Sequence, residues 1–225
     1  VSEFYLVRHG QASFGAKNYD KLSDLGHQQA RWLGEYFTSR DITFSQAFMG
    51  DMVRHRETTE GILDGLSQPP VVTVDTGFNE FNFQNIGNSY LTLNPQNRLP
   101  ENPKPADFYR LLKLAMYAWS QDLLPEHTLD ESWLDFKSRV QRALDSVCVQ
   151  KSDKPILIVS SGGAISMLMS LVLGLDTKQV IELNMQVRNT SISHFYFNKN
   201  TIRLSSFNNI PHLDCLDRLD SITFS

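Results

Sequence analysis

Short apolar runs, too brief for helices, alternate along this chain with longer stretches of helical period, and that alternation most narrows the folds open to it. Residues 4–7 form an apolar, aromatic run stopped by Arg8, His9 and Gly10, which predicts a buried strand ending in a polar loop. Residues 25–37 carry an amphipathic helical pattern that Ser23 or Asp24 can cap, and a strand is expected near 44–49. A second helix is expected over 53–66, broken by Pro69 and Pro70 ahead of a β-branched strand at 71–74. Residues 156–159 are again continuously apolar, preceded by Pro155 and followed by two serines and two glycines, so strand, tight loop and buried helix succeed one another there. Segments 191–197 and 201–207 are expected to pair as a hairpin around 198–200. The tail after Asn208 has no clear pattern.

Between 79 and 105 the composition shifts to Asn and Pro with scattered aromatics, which reads as an inserted loop region rather than one regular element. Helical patterns return at 107–124 and 131–149, separated by Pro125, the first of them belonging to the insertion. With 225 residues, 41% of them hydrophobic, and no repeat or flexible linker, the expectation is a single domain over 1–225, with a substrate-facing insertion at about 82–130. The aromatics Phe78, Phe81, Phe83 and Tyr90 are expected to pack rather than to line a pocket.

A formal charge of -4 and the lack of a basic stripe exclude a general polyanion surface, so no nucleic-acid partner is expected and any anion site must be local. Cys148 and Cys215 lack a Cys-x-x-Cys spacing, and His27, His55, His127, His194 and His212 form no helical His-x-x-x-His pair. Neither a zinc site nor a disulfide framework is expected, and the histidines read as surface or packed residues. The longest apolar stretch, 164–175, is interrupted by Ser166, Ser170 and Gly174, too short and polar to span a bilayer. A cytoplasmic protein with no membrane partner is therefore expected.

Chemistry concentrates in three loops beside expected strand ends, where open α/β sheets place ligands. Arg8 sets a permanent cation beside the His9 imidazole, whose unprotonated nitrogen can attack phosphorus, and Gly10 lets backbone approach a ligand closely. Taken alone, that tripeptide is equally compatible with a decorated loop.

The string LVRHGQAS at 6–13 resembles the signature of the histidine phosphatase, or phosphoglycerate mutase-like, superfamily. LSDLGHQQA at 22–30 resembles that family's Leu-Thr-x-x-Gly-x-x-Gln-Ala segment. DMVRHRETTE at 51–60 resembles Ser-x-Leu-x-Arg-Ala-x-Gln-Thr-Ala, with Arg54 on the arginine and its neighbours departing from the pattern. Glu80 in GFNEFNFQNIG stands where the family carries its acidic proton donor, with Gly87 keeping the spacing, and NTSISHF and FNNIPHL resemble the closing strands. The resemblance spans most of the chain outside about 88–130. It implies a three-layer α/β/α sandwich with a mostly parallel central sheet. It also implies that His9 is phosphorylated and then hydrolysed, Arg8 and Arg54 hold the phosphoryl oxygens, and Glu80 protonates the leaving alcohol and later activates water, with neither metal nor cofactor.

One position departs sharply. The family reads Val-Ser-His-Gly-Gly after a strand where this chain reads VSSGGAI, which puts Ser161 in place of a second histidine. A serine supplies one hydrogen bond to a phosphoryl oxygen and the backbone at Gly162 can add another, but neither supplies positive charge. Losing one preorganised donor costs about 10² to 10³ in turnover, so a weakened phosphatase is favoured over an inactive phosphate-binding protein. Helix capping is the plain alternative for Ser161, a surface ion pair for Arg54, a solvent-facing loop carboxylate for Glu80 and a purely structural place for His212. A phosphoglycerate mutase-like transfer is the other enzymatic reading, disfavoured because Glu80 is not followed by Glu-Arg-x-Tyr-Gly. The expected substrate is a phosphorylated small molecule, a phosphoprotein being the other class that fits.

Overall fold

A computed structural model describes residues 2–13, 20–150 and 152–224. Strands β1 (Ser2–Arg8), β2 (Gln46–Met49), β3 (Val71–Val74), β4 (Ile156–Ser160), β5 (Ile192–Phe197) and β6 (Ile202–Asn209) form one sheet in the order β3-β2-β4-β1-β5-β6. The four strands from β3 to β1 run parallel, while β5 and β6 add an antiparallel hairpin edge beside β1. The hairpin turns where expected, with Asn198 Oδ1 accepting from the backbone of Asn200 and Thr201.

Every residue of β4 is buried, as its unbroken apolar run requires of a central parallel strand covered on both faces. Its side chains alternate between two cores. Ile156 and Ile158 join one with Phe4, Phe48, Phe81, Trp119, Phe136 and Phe195, whereas Leu157 and Val159 join another with Leu33, Phe37, Ala47 and Ile62. The second core is closed by α1 (Asp24–Ser39), capped by Ser23 through the Gly26 N–H, and α2 (Val53–Asp64). The first is closed by α3 (Phe83–Leu93), α4 (Pro105–Ser120), α5 (Trp133–Cys148), α6 (Gly162–Leu173) and α7 (Thr177–Gln186). The result is the mostly parallel α/β/α sandwich that the family resemblance implies, and the α/β class that the alternation of elements suggests.

Two segments differ from the expectation. The Asn-rich stretch read as loop contains α3, because Ile86 and Tyr90 share one face of a helix with half-buried Phe83 while Gln84 and Asn88 face solvent. Asn82 caps it through the Asn85 N–H, so asparagines that signalled a loop also start the helix. Helix α7 was not anticipated, although Asp176 and Gln179 form a capping box at its start. Phe78, Phe81 and Tyr90 are core residues, as expected of them. Both cysteines are free thiols, and no helix among the described residues is long and apolar enough to cross a membrane.

Candidate active site

Because β1 to β4 are parallel, the segments leaving their carboxyl ends gather at one edge of the sheet. His9 and Gly10 follow β1, Arg54 and His55 open α2 after β2, Glu80 follows the turn after β3, and Ser161 joins β4 to α6. Arg8, His9, Arg54, His55 and Ser161 are all buried.

His9 is held from several sides. Its N–H donates to the Ser160 carbonyl at 2.9 Å, and its own carbonyl accepts from Asn189 Nδ2 at 3.0 Å. Its Nδ1 lies 2.7 Å from the Gly10 carbonyl. A carbonyl only accepts, so Nδ1 carries the proton and Nε2 is left with its lone pair. Burial, then the charges of Arg54 and Arg8, hold this imidazole well below its usual pKa and therefore neutral. Behind it, Thr190 adopts φ 54°, unusual for a β-branched residue, and donates its N–H to the Arg8 carbonyl at 3.0 Å. Its hydroxyl gives its proton to the Asn189 carbonyl and accepts from His212 Nε2 at 2.8 Å, so His212 supports the loop from behind.

Gly10, expected to bring backbone to a ligand, turns instead toward the protein. Its N–H donates to Thr58 Oγ1 at 2.9 Å, and a Cβ there would stand 2.5 Å from the Gly26 carbonyl oxygen. The glycine is required by the close approach of α1 to the loop. The Arg8 Nη1 donates to the carbonyls of Val187 and Phe224, which ties the guanidinium to the C-terminal tail. Arg54 is clamped by Asp20: Nη1 donates to Oδ1 at 2.7 Å, while Oδ2 accepts the Val53 N–H and thereby caps α2, whose own cap residue Met52 has no such side chain. Glu80 is fixed at the start of α6, its Oε2 accepting the Gly163 N–H at 2.9 Å.

Ser161 occupies the cap position of α6, yet its side chain accepts from no helix N–H, so the capping alternative does not describe it. Its Oγ lies 2.7 Å from His55 Nε2 and 3.5 Å from Arg54 Nη2. His55 is the residue that the sequence passed over. Its ring centroid stands 5.8 Å from that of His9, and burial followed by the Arg54 charge holds its pKa well below the usual value. Only its adjacency to Arg54 hinted at such a place, because its hydroxyl partner is 106 residues away. The other histidines lie elsewhere: His194 pairs with Glu3 at 2.6 Å, and His127 is exposed. Among the described residues no group of three or more His, Cys, Asp or Glu side chains is placed to hold a metal ion.

The site therefore presents an oriented imidazole lone pair, two guanidiniums, a helix start and a carboxylate. Such an arrangement can accept a phosphoryl group and move a proton.

A probable phosphoglycerate mutase of Erwinia tasmaniensis is 27% identical over 197 residues, 85% of this chain and 83% of its own length. A broad-specificity phosphatase of Saccharomyces cerevisiae is 24% identical, covering 75% of this chain and 69% of its own. The 2,3-bisphosphoglycerate-dependent phosphoglycerate mutase of Mesorhizobium japonicum aligns at 31% over 88 residues only, 36% of this chain and 43% of its own. In fold, the phosphoserine phosphatase of Entamoeba histolytica, solved with 3-phosphoglyceric acid, superposes with a TM-score of 0.65 at 20% identity, covering 95% of this chain and all of its own. The model of the histidine phosphatase superfamily (branch 1) matches residues 4–210, and the chain belongs to that family.

Proposed function

We propose that this protein is a metal-independent phosphomonoester hydrolase that works through a phosphohistidine at His9. The observation that carries the reading is the 2.7 Å hydrogen bond from His9 Nδ1 to the Gly10 carbonyl, which leaves Nε2 as the nucleophile. In the first step Nε2 attacks phosphorus and the ester P–O bond breaks. Its electron pair stays on the leaving oxygen, which takes a proton from Glu80. In the second, water attacks the phosphohistidine, the P–N bond breaks, and the Glu80 carboxylate takes the water proton, releasing inorganic phosphate. Arg8 and Arg54 neutralise the phosphoryl oxygens, with Ser161 and the Gly162 backbone adding donors, while Gly10 shapes the loop. The named phosphatases among the relatives, one of them for phosphoserine, favour a phosphorylated small molecule as substrate.

The relative named as a probable mutase keeps transfer to a second hydroxyl as the rival outcome. The test is turnover of an aryl phosphate and of 3-phosphoglycerate in chelator, with trapping of the phosphoenzyme. Release of inorganic phosphate and an acid-labile phosphoprotein, both lost in His9→Ala, are expected. Isomerised phosphoglycerate without net phosphate release would replace the hydrolase by a mutase. A wild type that forms no phosphoenzyme would reduce the site to a phosphate-binding one.

A further inference from the structure

We propose that His55 and Ser161 form a hydrogen-bond relay in which the His55 imidazole positions and polarises the Ser161 hydroxyl as a donor to the bound phosphoryl group. The two departures from the family pattern, a histidine after Arg54 and a serine before the paired glycines, are in contact with each other: Nε2 and Oγ lie 2.7 Å apart, and neither residue is exposed.

The direction of the relay follows from proton counting. A guanidinium has only donors, so the 3.5 Å contact from Arg54 Nη2 uses a lone pair on Ser161 Oγ. The single hydroxyl proton then has two destinations. Given to His55 Nε2, it would place the ring proton on Nδ1, which is buried and has no partner, leaving an orphaned N–H beside Gly50. With the ring proton on Nε2 instead, Nδ1 is left with an unpaired lone pair, a lesser cost than an orphaned N–H; His55 donates, Oγ accepts from both His55 and Arg54, and its hydroxyl proton is free to meet an anionic oxygen. A hydroxyl whose lone pairs are both engaged is a stronger donor than an isolated one. Burial and the neighbouring Arg54 keep the ring neutral, which suits a donor of this kind. Ser161 would touch the substrate, and His55 would act through it as a positioning residue.

This inference rests on the phosphoryl-binding reading of the site, so its test uses orthovanadate binding alongside aryl phosphate turnover. Wild type, His55→Ala, His55→Gln, Ser161→Ala and the double alanine variant are compared, each with its melting temperature. His55→Ala and Ser161→Ala are each expected to weaken vanadate by about tenfold to a hundredfold, the worth of one hydrogen bond to a charged group. The double variant is expected to lose no more than the weaker-binding single variant, and His55→Gln, whose amide nitrogen replaces Nε2–H, to bind close to wild type. Unchanged vanadate affinity in either alanine variant overturns the relay. So does a double loss equal to the product of the singles, or a folded His55→Gln that binds as poorly as Ser161→Ala. That last comparison decides alone where His55→Ala does not fold. Vanadate binding with these effects but without turnover removes the hydrolase reading and keeps the relay; a wild type that binds no vanadate removes both.

Discussion

Glu80 and Gly163 are in contact across 83 residues of sequence: Oε2 of the carboxylate accepts the glycine N–H at 2.9 Å, and the space a Cβ would take on Gly163 is filled by Glu80 Oε1 and the Phe81 ring. The carboxylate proposed as the proton carrier is thus placed by the first turn of α6.

Gly163→Ala is therefore expected to act as a displaced Glu80. The carboxylate can swing aside, but the buried Phe81 ring must shift as well, so the fold should survive at an overpacking cost of about 1–3 kcal/mol, read as a drop in melting temperature. Turnover of alkyl phosphates, whose leaving group needs the proton, should fall about a hundredfold or more, while aryl phosphates with acidic leaving groups should lose far less. The readout is kcat against leaving-group pKa for wild type, Gly163→Ala and Glu80→Gln. Equal losses across the series in both variants would sink the proton-carrier role.

The strands were legible because their signals are local. The breaks at Pro69 and Pro155 mark where β3 and β4 begin, and the polar residues that stop the apolar runs mark the loops bearing His9, Arg54, Glu80 and Ser161. The relations that give those residues their setting are not local. Asp20 caps α2 from outside the helix, His55 meets a serine 106 positions away, and Arg8 is held by the carbonyl of Phe224. Helix α3 was hidden by the residues that cap and solvate it, since asparagine signals a turn and a helix start equally well.

The place of Ser161 has a consequence for restoring the family's histidine. Ser161 is fully buried with His55 Nε2 already 2.7 Å from its Oγ, so an imidazole grown from position 161 meets the one on α2. Ser161→His alone is expected to be overpacked, at a cost of about 1–3 kcal/mol, and to turn over no faster than wild type. Ser161→His combined with His55→Ala has room for one ring and should recover both melting temperature and kcat. A single variant that is faster and equally stable would show that the two positions do not compete for space.

The C-terminal tail is tied to the His9 loop through Thr223. Its hydroxyl donates to Asn189 Oδ1 at 2.9 Å and accepts from Gln29 Nε2 at 3.0 Å, while Asn189 donates to the His9 carbonyl. Thr223→Val keeps the shape and leaves the Asn189 and Gln29 groups short of a partner, costing about 1–3 kcal/mol in urea unfolding. Because Asn189 then loses its brace, kcat should fall while chain compactness, read from the urea m-value, stays unchanged. Wild-type stability in this variant would mean that the Thr223 hydroxyl adds nothing to the hold of the Asn189 N–H on the Thr223 carbonyl.

Three buried histidines make stability depend on pH in a defined direction. His9 and His55 are held well below their usual pKa by burial and then by Arg54, and His212 is lowered to about 3 by burial and Arg218. All three are neutral in the folded protein, whereas in the unfolded chain they take up protons as pH falls through about 6.5. The unfolded state then binds more protons, so stability is full above that value and lost as pH falls toward the folded pKa values. Each histidine contributes up to about 1.4 kcal/mol per pH unit, a combined slope approaching about 4 kcal/mol per unit below pH 6. Urea unfolding at pH 7.5, 6 and 5 measures it. His212→Gln, which keeps a donor for Thr190 and lies outside the phosphoryl pocket, should remove about a third of the slope. Stability that is flat across this range would mean that these imidazoles are not buried as neutral groups.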